Sequence, residues 1–158
     1  PGQAPEPAYY HLAGIVAALA GQLEMAARTL EEALQSFPRS APLLLLAGAV
    51  AERRGDLSRA AELYRQAAEE DPTLPQAHKN LGDVAYRRGL YDEALEHYQR
   101  AVELAPELGD DVYTKLGNLH YRRQERDEAV RYWRHALERN PENQIVRNNL
   151  HMVLHAAR

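Results

Sequence analysis

The most constraining feature of this chain is an internal repeat with a period of about 34 residues. Small residues mark the same point in each unit, at Gly14, Gly48, Gly82 and Gly117. Two series of alanines keep this register, Ala26, Ala60, Ala94 and Ala129, and Ala33, Ala67, Ala101 and Ala136. Prolines close the units at Pro38, Pro72, Pro106 and Pro141. Four residue series in one register predict a repeat protein, whose units bury their apolar faces on one another.

Each unit has the pattern of two helices joined by a tight turn. In the third unit, apolar residues at helical spacing predict helices over 76–88 and 91–104. Gly89 lies between them and suits the left-handed backbone that ends many helices. Gly21 and Gly55 occupy the same place in the first two units.

The small residues also predict where the two helices of a unit cross. Gly82 and Ala94 fall at this crossing in the third unit, where larger side chains would hold the backbones apart. The fourth unit departs from the pattern in two places. Gln124 replaces the inter-helix glycine, and one residue is inserted near Gly109.

The order of residues in the units resembles the tetratricopeptide repeat family, whose pattern is a large residue, Leu-Gly, an aromatic, Ala, an aromatic, Ala and Pro at fixed offsets. The third unit reads His78, Leu81, Gly82, Ala85, Ala94, Tyr98, Ala101 and Pro106. The fourth unit reads Tyr113, Leu116, Gly117, His120, Ala129, Trp133, Ala136 and Pro141. The resemblance covers about residues 7–143 and implies an all-α, right-handed solenoid of four helix-turn-helix repeats with a C-terminal capping helix.

The repeat register divides the chain into a linker, residues 1–6, and a single domain, residues 7–158. The repeats are expected at about 7–40, 41–74, 75–108 and 110–143. An amphipathic helix at about 143–157 then caps the last core face, or forms the first half of a fifth repeat. Because the chain begins with Pro1, we expect it to be a piece of a longer protein.

Composition excludes several classes of function. The formal net charge of −4 argues against nucleic-acid binding, which needs clustered excess Lys and Arg. The longest apolar run, Leu43 to Ala51, is too short to insert in a membrane. His151 and His155 share a helix face, but no third ligand joins them, so we expect no metal, cofactor or active site. We expect a cytoplasmic location, with the periplasm or another compartment as the alternative.

The resemblance implies that the first helix of each unit lines a concave inner wall, which binds the partner. The predicted partner-binding residues are Leu45, Leu46, Lys79, Asn80, Asp83, Tyr86, Arg87, Lys115, Asn118, Tyr121, Arg122 and Asn149. The first half of this wall is aliphatic and the second half is polar. Leu45 and Leu46 suit an apolar anchor of the partner, unless the N-terminal arm or a second copy of the chain covers them.

The polar half suits recognition of an extended peptide. Asn80 and Asn149 carry amides, which pair with a peptide main chain whatever its sequence. Tyr86 and Tyr121 recur one repeat apart and are expected to sandwich a side chain. The arginines beside them, Arg87 and Arg122, are expected to pair with an acidic residue of the partner, or else to point to solvent or pair with Asp83 and Asp111 in the chain itself.

These features predict a non-catalytic protein–protein interaction module that binds an extended peptide or partner segment in the concave groove, as part of a larger protein. Two alternatives remain open from the sequence. The chain is a structural unit that associates with further copies of itself, or it is the substrate-docking or regulatory domain of a larger enzyme.

Overall fold

The computed structural model describes residues 6–156, which form α-helices and no strands. The helices in this part of the chain are α1 (Pro7–Leu19), α2 (Leu23–Ser36), α3 (Ala41–Arg53), α4 (Leu57–Glu70), α5 (Pro75–Arg87), α6 (Tyr91–Leu104), α7 (Asp110–Arg122), α8 (Arg126–Arg139) and α9 (Gln144–His155). The predicted linker lies outside the described residues except for Glu6. Residue 157, at the end of the predicted capping helix, and residue 158 also lie outside them.

Local sequence explains where the helices begin. Proline occupies the first turn of α1, α3 and α5, where the missing N–H has no helical partner to lose. The side chain of Asp56 accepts a hydrogen bond from the backbone N–H of Arg59 at the start of α4. Asn143 caps α9 in the same way through the N–H of Val146.

The turns inside the first three hairpins end with a glycine in the left-handed conformation, as predicted. The φ angles are 75° at Gly21, 83° at Gly55 and 75° at Gly89. In the fourth hairpin Gln124 adopts the same conformation, with φ at 63°. The fold therefore keeps its turn geometry at a position where the sequence lacks the residue that suits it.

The helices pack as consecutive antiparallel hairpins, α1 with α2, α3 with α4, α5 with α6 and α7 with α8. Successive hairpins contact each other, and α9 packs on α8. Buried clusters join each hairpin to the next, so that residues of α3 complete the core of the first hairpin and residues of α5 that of the second. The predicted all-α solenoid is confirmed.

The predicted helix crossing at Gly82 is also confirmed. A Cβ atom at this position would lie 2.6 Å from the ring of Tyr98 on the partner helix. The equivalent distance is 2.4 Å from Gly48 to Tyr64 and 2.3 Å from Gly117 to Trp133. Glycine is required here because the aromatic ring fills the space that any side chain would take.

The same register bears on the last helix. His151 of α9 lies 34 residues after Gly117, at the position where the earlier units have glycine. An aromatic from a following helix could not pack there as Trp133 packs on Gly117. A fifth hairpin would therefore need a different packing at His151, and the cap and the first half of a fifth repeat both stay predictions.

Replacing Gly82 by alanine tests the crossing. Alanine favours helix over glycine by about 1 kcal/mol, but overpacking against Tyr98 costs about 1–3 kcal/mol. We expect Gly82→Ala to lower the free energy of unfolding, measured by urea denaturation with circular dichroism. Gly109→Ala is the control, because its Cβ would meet only the flexible side chain of Asp111. A Gly82→Ala protein more stable than wild type would contradict the crossing.

Replacing Gln124 by glycine tests the fourth turn. A non-glycine residue in the left-handed region costs about 1–2 kcal/mol, so Gln124→Gly is expected to stabilise the protein by about 1 kcal/mol. The reciprocal variant, Gly89→Gln, is expected to destabilise it, since a side chain there meets nothing but suffers the same backbone strain. Thermal unfolding of both variants measures the two effects, and equal signs would contradict the explanation.

Candidate functional site

The first helices of three successive hairpins line one open hollow of about 390 Å³. Its walls come from α1, α3 and α5 and from the turn before α5. The lining residues are His11, Ala41, Pro42, Leu45, Leu46, Ala49, Asp71, Leu74, Gln76 and Asn80. The structure therefore brings together three residues that the sequence placed on the inner wall as partner-binding residues, Leu45, Leu46 and Asn80.

The aliphatic part of the hollow comes from a run of four leucines in α3. Leu43 and Leu44 are fully buried in two different core clusters. Leu45 and Leu46 remain half-buried and face the hollow. One turn of α3 thus contributes two buried leucines to the core on one side and two half-buried leucines to the floor of the hollow on the other.

Asn80 adds hydrogen-bonding capacity at the edge of this floor. Its Oδ1 accepts a hydrogen bond from the Nε2 of Gln76, one turn earlier in α5, at 2.9 Å. Among the described residues nothing accepts a hydrogen bond from the Nδ2 of Asn80. The amide is therefore held in place by one contact and keeps two N–H donors for a guest.

A cluster of charges follows the hollow along the wall and centres on Asp83 of α5. Lysine occurs only twice in the chain, and both lysines contact this carboxylate, Lys115 at 2.6 Å and Lys79 at 3.3 Å. Lys79 also pairs with Asp111 at 3.2 Å. Because Lys115 and Asp111 belong to α7, the cluster joins the third and fourth hairpins.

The environment of Asp83 changes its acidity. Burial alone would raise the pKa of the Asp83 carboxyl, but hydrogen bonds from Lys115 and Tyr98 and the charges of both lysines lower it below its ordinary value. Burial likewise opposes the charge of Lys79, and the carboxylates of Asp83 and Asp111 nevertheless raise the pKa of its ammonium. Both shifts favour the charged, paired state of the cluster.

Three aromatic residues of the second helices cross the glycines of the first helices, and their polar ends reach this wall. The sequence pattern did not indicate that these polar ends belong to the wall. Tyr64 donates a hydrogen bond to Glu52 at 2.9 Å, and Tyr98 donates one to Asp83 at 2.6 Å. In the fourth hairpin the Nε1 of Trp133 donates to Asn118 at 3.1 Å.

Burial raises the pKa of both tyrosine hydroxyls, and the carboxylates of Glu52 and Asp83 raise it further, so Tyr64 and Tyr98 remain donors. The glycine–aromatic register was visible in the sequence. The hydrogen-bond acceptor of each ring was not visible, because its distance from the glycine varies. Glu52 lies four residues after the glycine of its helix, whereas Asp83 and Asn118 each lie one residue after theirs.

The two arginines take partners that the sequence did not indicate. Arg87 pairs with Glu52 of the preceding hairpin at 2.9 Å. The guanidinium of Arg122 lies 4.0 Å from the ring centroid of Tyr91, at the start of α6. Neither pairs with Asp83 or Asp111, because the lysines occupy those carboxylates. Arg122 thus lies against the α5–α6 turn, away from the charge cluster.

Each of the remaining predicted residues contacts another side chain of the array. Tyr86 packs edge-on against Tyr91 at 5.6 Å, and Tyr121 packs against Trp133 at 5.6 Å. The Nδ2 of Asn149 lies 3.5 Å from the Oδ1 of Asn118. Each tyrosine ring therefore already has an aromatic neighbour in its own hairpin, and the sandwich between Tyr86 and Tyr121 stays a prediction.

The described part of the chain contains no candidate metal site and no candidate membrane-spanning helix. Within residues 6–156 no group of three or more His, Asp or Glu side chains is placed to hold a metal ion. None of the helices described has the length and apolar character needed to cross a membrane.

Stacked helical hairpins with a shared wall of first helices define a helical repeat protein. Two models described as tetratricopeptide repeat match the chain, at residues 11–75 and 73–142, and together they cover most of it. The chain belongs to the tetratricopeptide repeat family. Repeats of this family form protein–protein interaction modules, which are generally non-catalytic scaffolds.

Solved structures show the same fold at low sequence identity. A crystal structure of MamA is 22% identical, with a TM-score of 0.83, and the match covers 91% of this chain and 84% of MamA. PilF of Pseudomonas aeruginosa is 24% identical, with a TM-score of 0.81, over 96% of this chain and 68% of PilF.

YrrB, described as a TPR protein with an unusual peptide-binding site, is 20% identical, with a TM-score of 0.76. That match covers 90% of this chain and 73% of YrrB. No curated protein matches the chain in sequence.

The charge cluster predicts a pH-dependent stability. Because the pKa of Asp83 is lowered by folding, its contribution is complete above the unfolded-state pKa of about 3.9 and is lost as the pH falls through the lower folded-state value. We expect Asp83→Asn to lower the free energy of unfolding at neutral pH and to differ less from wild type below about pH 4. Urea denaturation at a series of pH values measures this. Asp92→Asn, at an exposed position of α6, is the control, and a difference independent of pH would contradict the role of Asp83.

Proposed function

We propose that this chain binds an extended segment of a partner protein along the wall formed by α1, α3, α5 and α7, with an apolar side chain of the segment in the hollow. The observation that carries this proposal is the position of Leu45 and Leu46, which form an apolar floor beside the half-satisfied amide of Asn80. Exposed aliphatic side chains in a concave surface are unfavourable in water until a ligand covers them.

The hollow and the amide have complementary roles in this mode of binding. Burying one Val-, Leu- or Phe-sized side chain of the partner contributes about 1.5–3 kcal/mol. The free N–H donors of Asn80 bond a main-chain carbonyl, which keeps the segment extended without reading its sequence. The apolar pocket therefore selects the anchor residue, and the amide fixes the direction of the chain beside it.

The charges of the wall have a different role, because most of them are already paired. Lys79, Lys115 and Arg87 each contact a carboxylate of the chain itself. Exchanging these contacts for contacts with a partner yields little net free energy. We assign the cluster to positioning: it joins α5 to α7 and holds the wall in one shape before the partner arrives, which reduces the entropy lost on binding.

Selection from a library of displayed random peptides tests the proposal even though the natural partner is unidentified. Peptides enriched on the immobilised chain are synthesised, and their dissociation constants are measured by fluorescence anisotropy. We expect Leu45→Asp to weaken binding by about tenfold or more, since it places a charge in the anchor pocket. We expect Asn80→Ala to weaken it by about three- to tenfold, the value of one or two hydrogen bonds.

The chain offers a matched control for each variant. Leu90→Asp introduces the same charge at an exposed turn. Asn148→Ala removes an amide that accepts from Gln144 at 2.8 Å, which is the contact that Gln76 makes to Asn80, but on α9. Peptides that bind Leu45→Asp and Asn80→Ala as tightly as wild type, or a library that yields no binder, would overturn the proposal.

A further inference from the structure

The third hairpin carries a pair of histidines between its two helices, His78 of α5 and His97 of α6. Their ring centroids are 6.3 Å apart. In the fourth hairpin the equivalent residues are Tyr113 and Tyr132, whose rings stack at a centroid distance of 6.5 Å. The third hairpin therefore has two groups that titrate near pH 6.5, at a place where the fourth hairpin has two that stay neutral at this pH.

The equivalent pair of the second hairpin is apolar. Leu44 and Leu63 occupy the positions of His78 and His97, and both belong to one buried core cluster. This place in the repeat is thus a packing contact within the hairpin. Titration of the two histidines acts on that contact.

The hydrogen bonding of His78 determines its tautomer. Its Nε2 lies 3.3 Å from the main-chain oxygen of Pro72, and because a carbonyl only accepts, Nε2 carries the proton of the neutral ring. Tyr113 donates to the main-chain oxygen of Pro106 in the same way. The Nδ1 of His78 is buried and has no hydrogen-bond partner among the described residues. A proton on Nδ1 would give a buried N–H without an acceptor, which is unfavourable.

The surroundings of His97 also oppose a positive charge. The groups that face it are His78 on α5, Arg65 on α4, and Glu93 and Glu96 on its own helix. Burial lowers the pKa of His97 below its ordinary value, and the charges of His78 and Arg65 lower it further, although the two glutamates raise it. The packed hairpin therefore favours the neutral ring.

A second buried histidine shows what this pair lacks. His120 of α7 is 6% exposed, and its Nε2 also has no partner among the described residues. Its Nδ1, however, contacts the carboxylate of Glu125, which provides a counter-charge for a protonated ring. Within residues 6–156, neither His78 nor His97 makes a hydrogen bond to a carboxylate.

We infer that the His78–His97 pair makes the third hairpin an acid-sensitive joint of the array. At neutral pH both rings are uncharged and pack between α5 and α6. Below about pH 6.5, protonation places two positive charges beside each other and leaves the Nδ1–H of His78 without an acceptor, and separation of α5 from α6 relieves both. Because α5 also carries Asn80 and Asp83, this separation disturbs the inner wall. The inference concerns the hairpin itself and does not rest on the proposed peptide site.

Linkage gives the direction of the pH dependence. A histidine whose folded-state pKa is lowered binds a proton more readily in the unfolded chain. Its contribution to stability is therefore complete above the unfolded-state pKa of about 6.5 and is lost as the pH falls through the folded-state value. Each such histidine raises the equilibrium constant of opening by up to about tenfold per pH unit in this window. The window lies above that of the Asp83 carboxyl, so the two effects are separable.

Urea denaturation at about pH 7.5 and about pH 5.5, on either side of the ordinary histidine pKa, tests the inference. His78→Tyr with His97→Tyr introduces the pair of the fourth hairpin and keeps a donor for Pro72. His78→Leu with His97→Leu introduces the pair of the second hairpin. We expect the unfolding constant of the wild-type chain to rise by about tenfold at the lower pH, and both double variants to lose most of this change. Double variants that keep the full change would overturn the inference.

The chain offers a matched control, a second pair of neighbouring histidines on α9. The ring centroids of His151 and His155 are 4.3 Å apart, but both residues are exposed, so water solvates their charges. His151→Gln with His155→Gln is expected to keep the pH dependence of the wild-type chain. The inference is wrong if this variant removes the pH dependence as completely as the variants of the third hairpin do.

Two measurements on the wild-type chain do not depend on the folding of any variant. Titration of the ring protons by NMR gives the pKa of His97, which is expected below about 6.5. Amide hydrogen exchange at the two pH values locates the opening, and protection is expected to fall more in α5 and α6 than in α3 and α4. A His97 pKa at or above the ordinary value, or an equal loss of protection in both hairpins, would contradict the acid-sensitive joint.

Discussion

The fold depends on one contact that recurs at each hairpin, the packing of a large side chain of the second helix against a glycine of the first. At Gly48, Gly82 and Gly117 the aromatic ring comes so close that no Cβ atom fits. This contact sets the distance between the two helices, and it also determines which end of the ring reaches the opposite surface. Tyr64, Tyr98 and Trp133 are buried along their apolar bodies, while their polar atoms emerge on the inner wall and bond Glu52, Asp83 and Asn118. Core packing and the geometry of the wall are therefore one structural feature.

The wall that results has two parts with different physical roles. Around Leu45, Leu46 and Asn80 it has apolar surface and hydrogen-bond donors that the chain itself leaves unused. Around Asp83 the polar groups bond each other, within the third hairpin through Lys79 and Tyr98 and across to the fourth hairpin through Lys115. Free apolar area and free donors provide affinity for a guest, whereas paired charges provide a fixed shape. The site proposed for a partner is accordingly the less charged part of the wall.

The exposure of apolar residues at the ends of the array also depends on the repeat. An internal hairpin has neighbours on both sides, and residues such as Val50, Val84 and Leu95 are buried between them. The two end surfaces differ: Val16 has no described hairpin before it and is 58% exposed, whereas Val153 of α9 takes the equivalent position on the last hairpin and is buried. A repeat protein must cover these surfaces or use them. At the C-terminal end, α9 packs on the last hairpin through Val146, Leu150 and Val153.

The amino-acid sequence by itself determined the helices, the hairpins, their stacking and the general position of the wall, because these depend on periodicity and on residue size at fixed offsets. It could even locate Leu45, Leu46 and Asn80 on one surface. It did not determine how the charges pair: Arg87 bonds Glu52, Arg122 stacks on Tyr91, and the two lysines share Asp83. Three of these four pairs join residues about one repeat apart, whereas Lys79 and Asp83 lie one turn apart on α5. Only the distances and angles set by the stacked hairpins decide which pairs form.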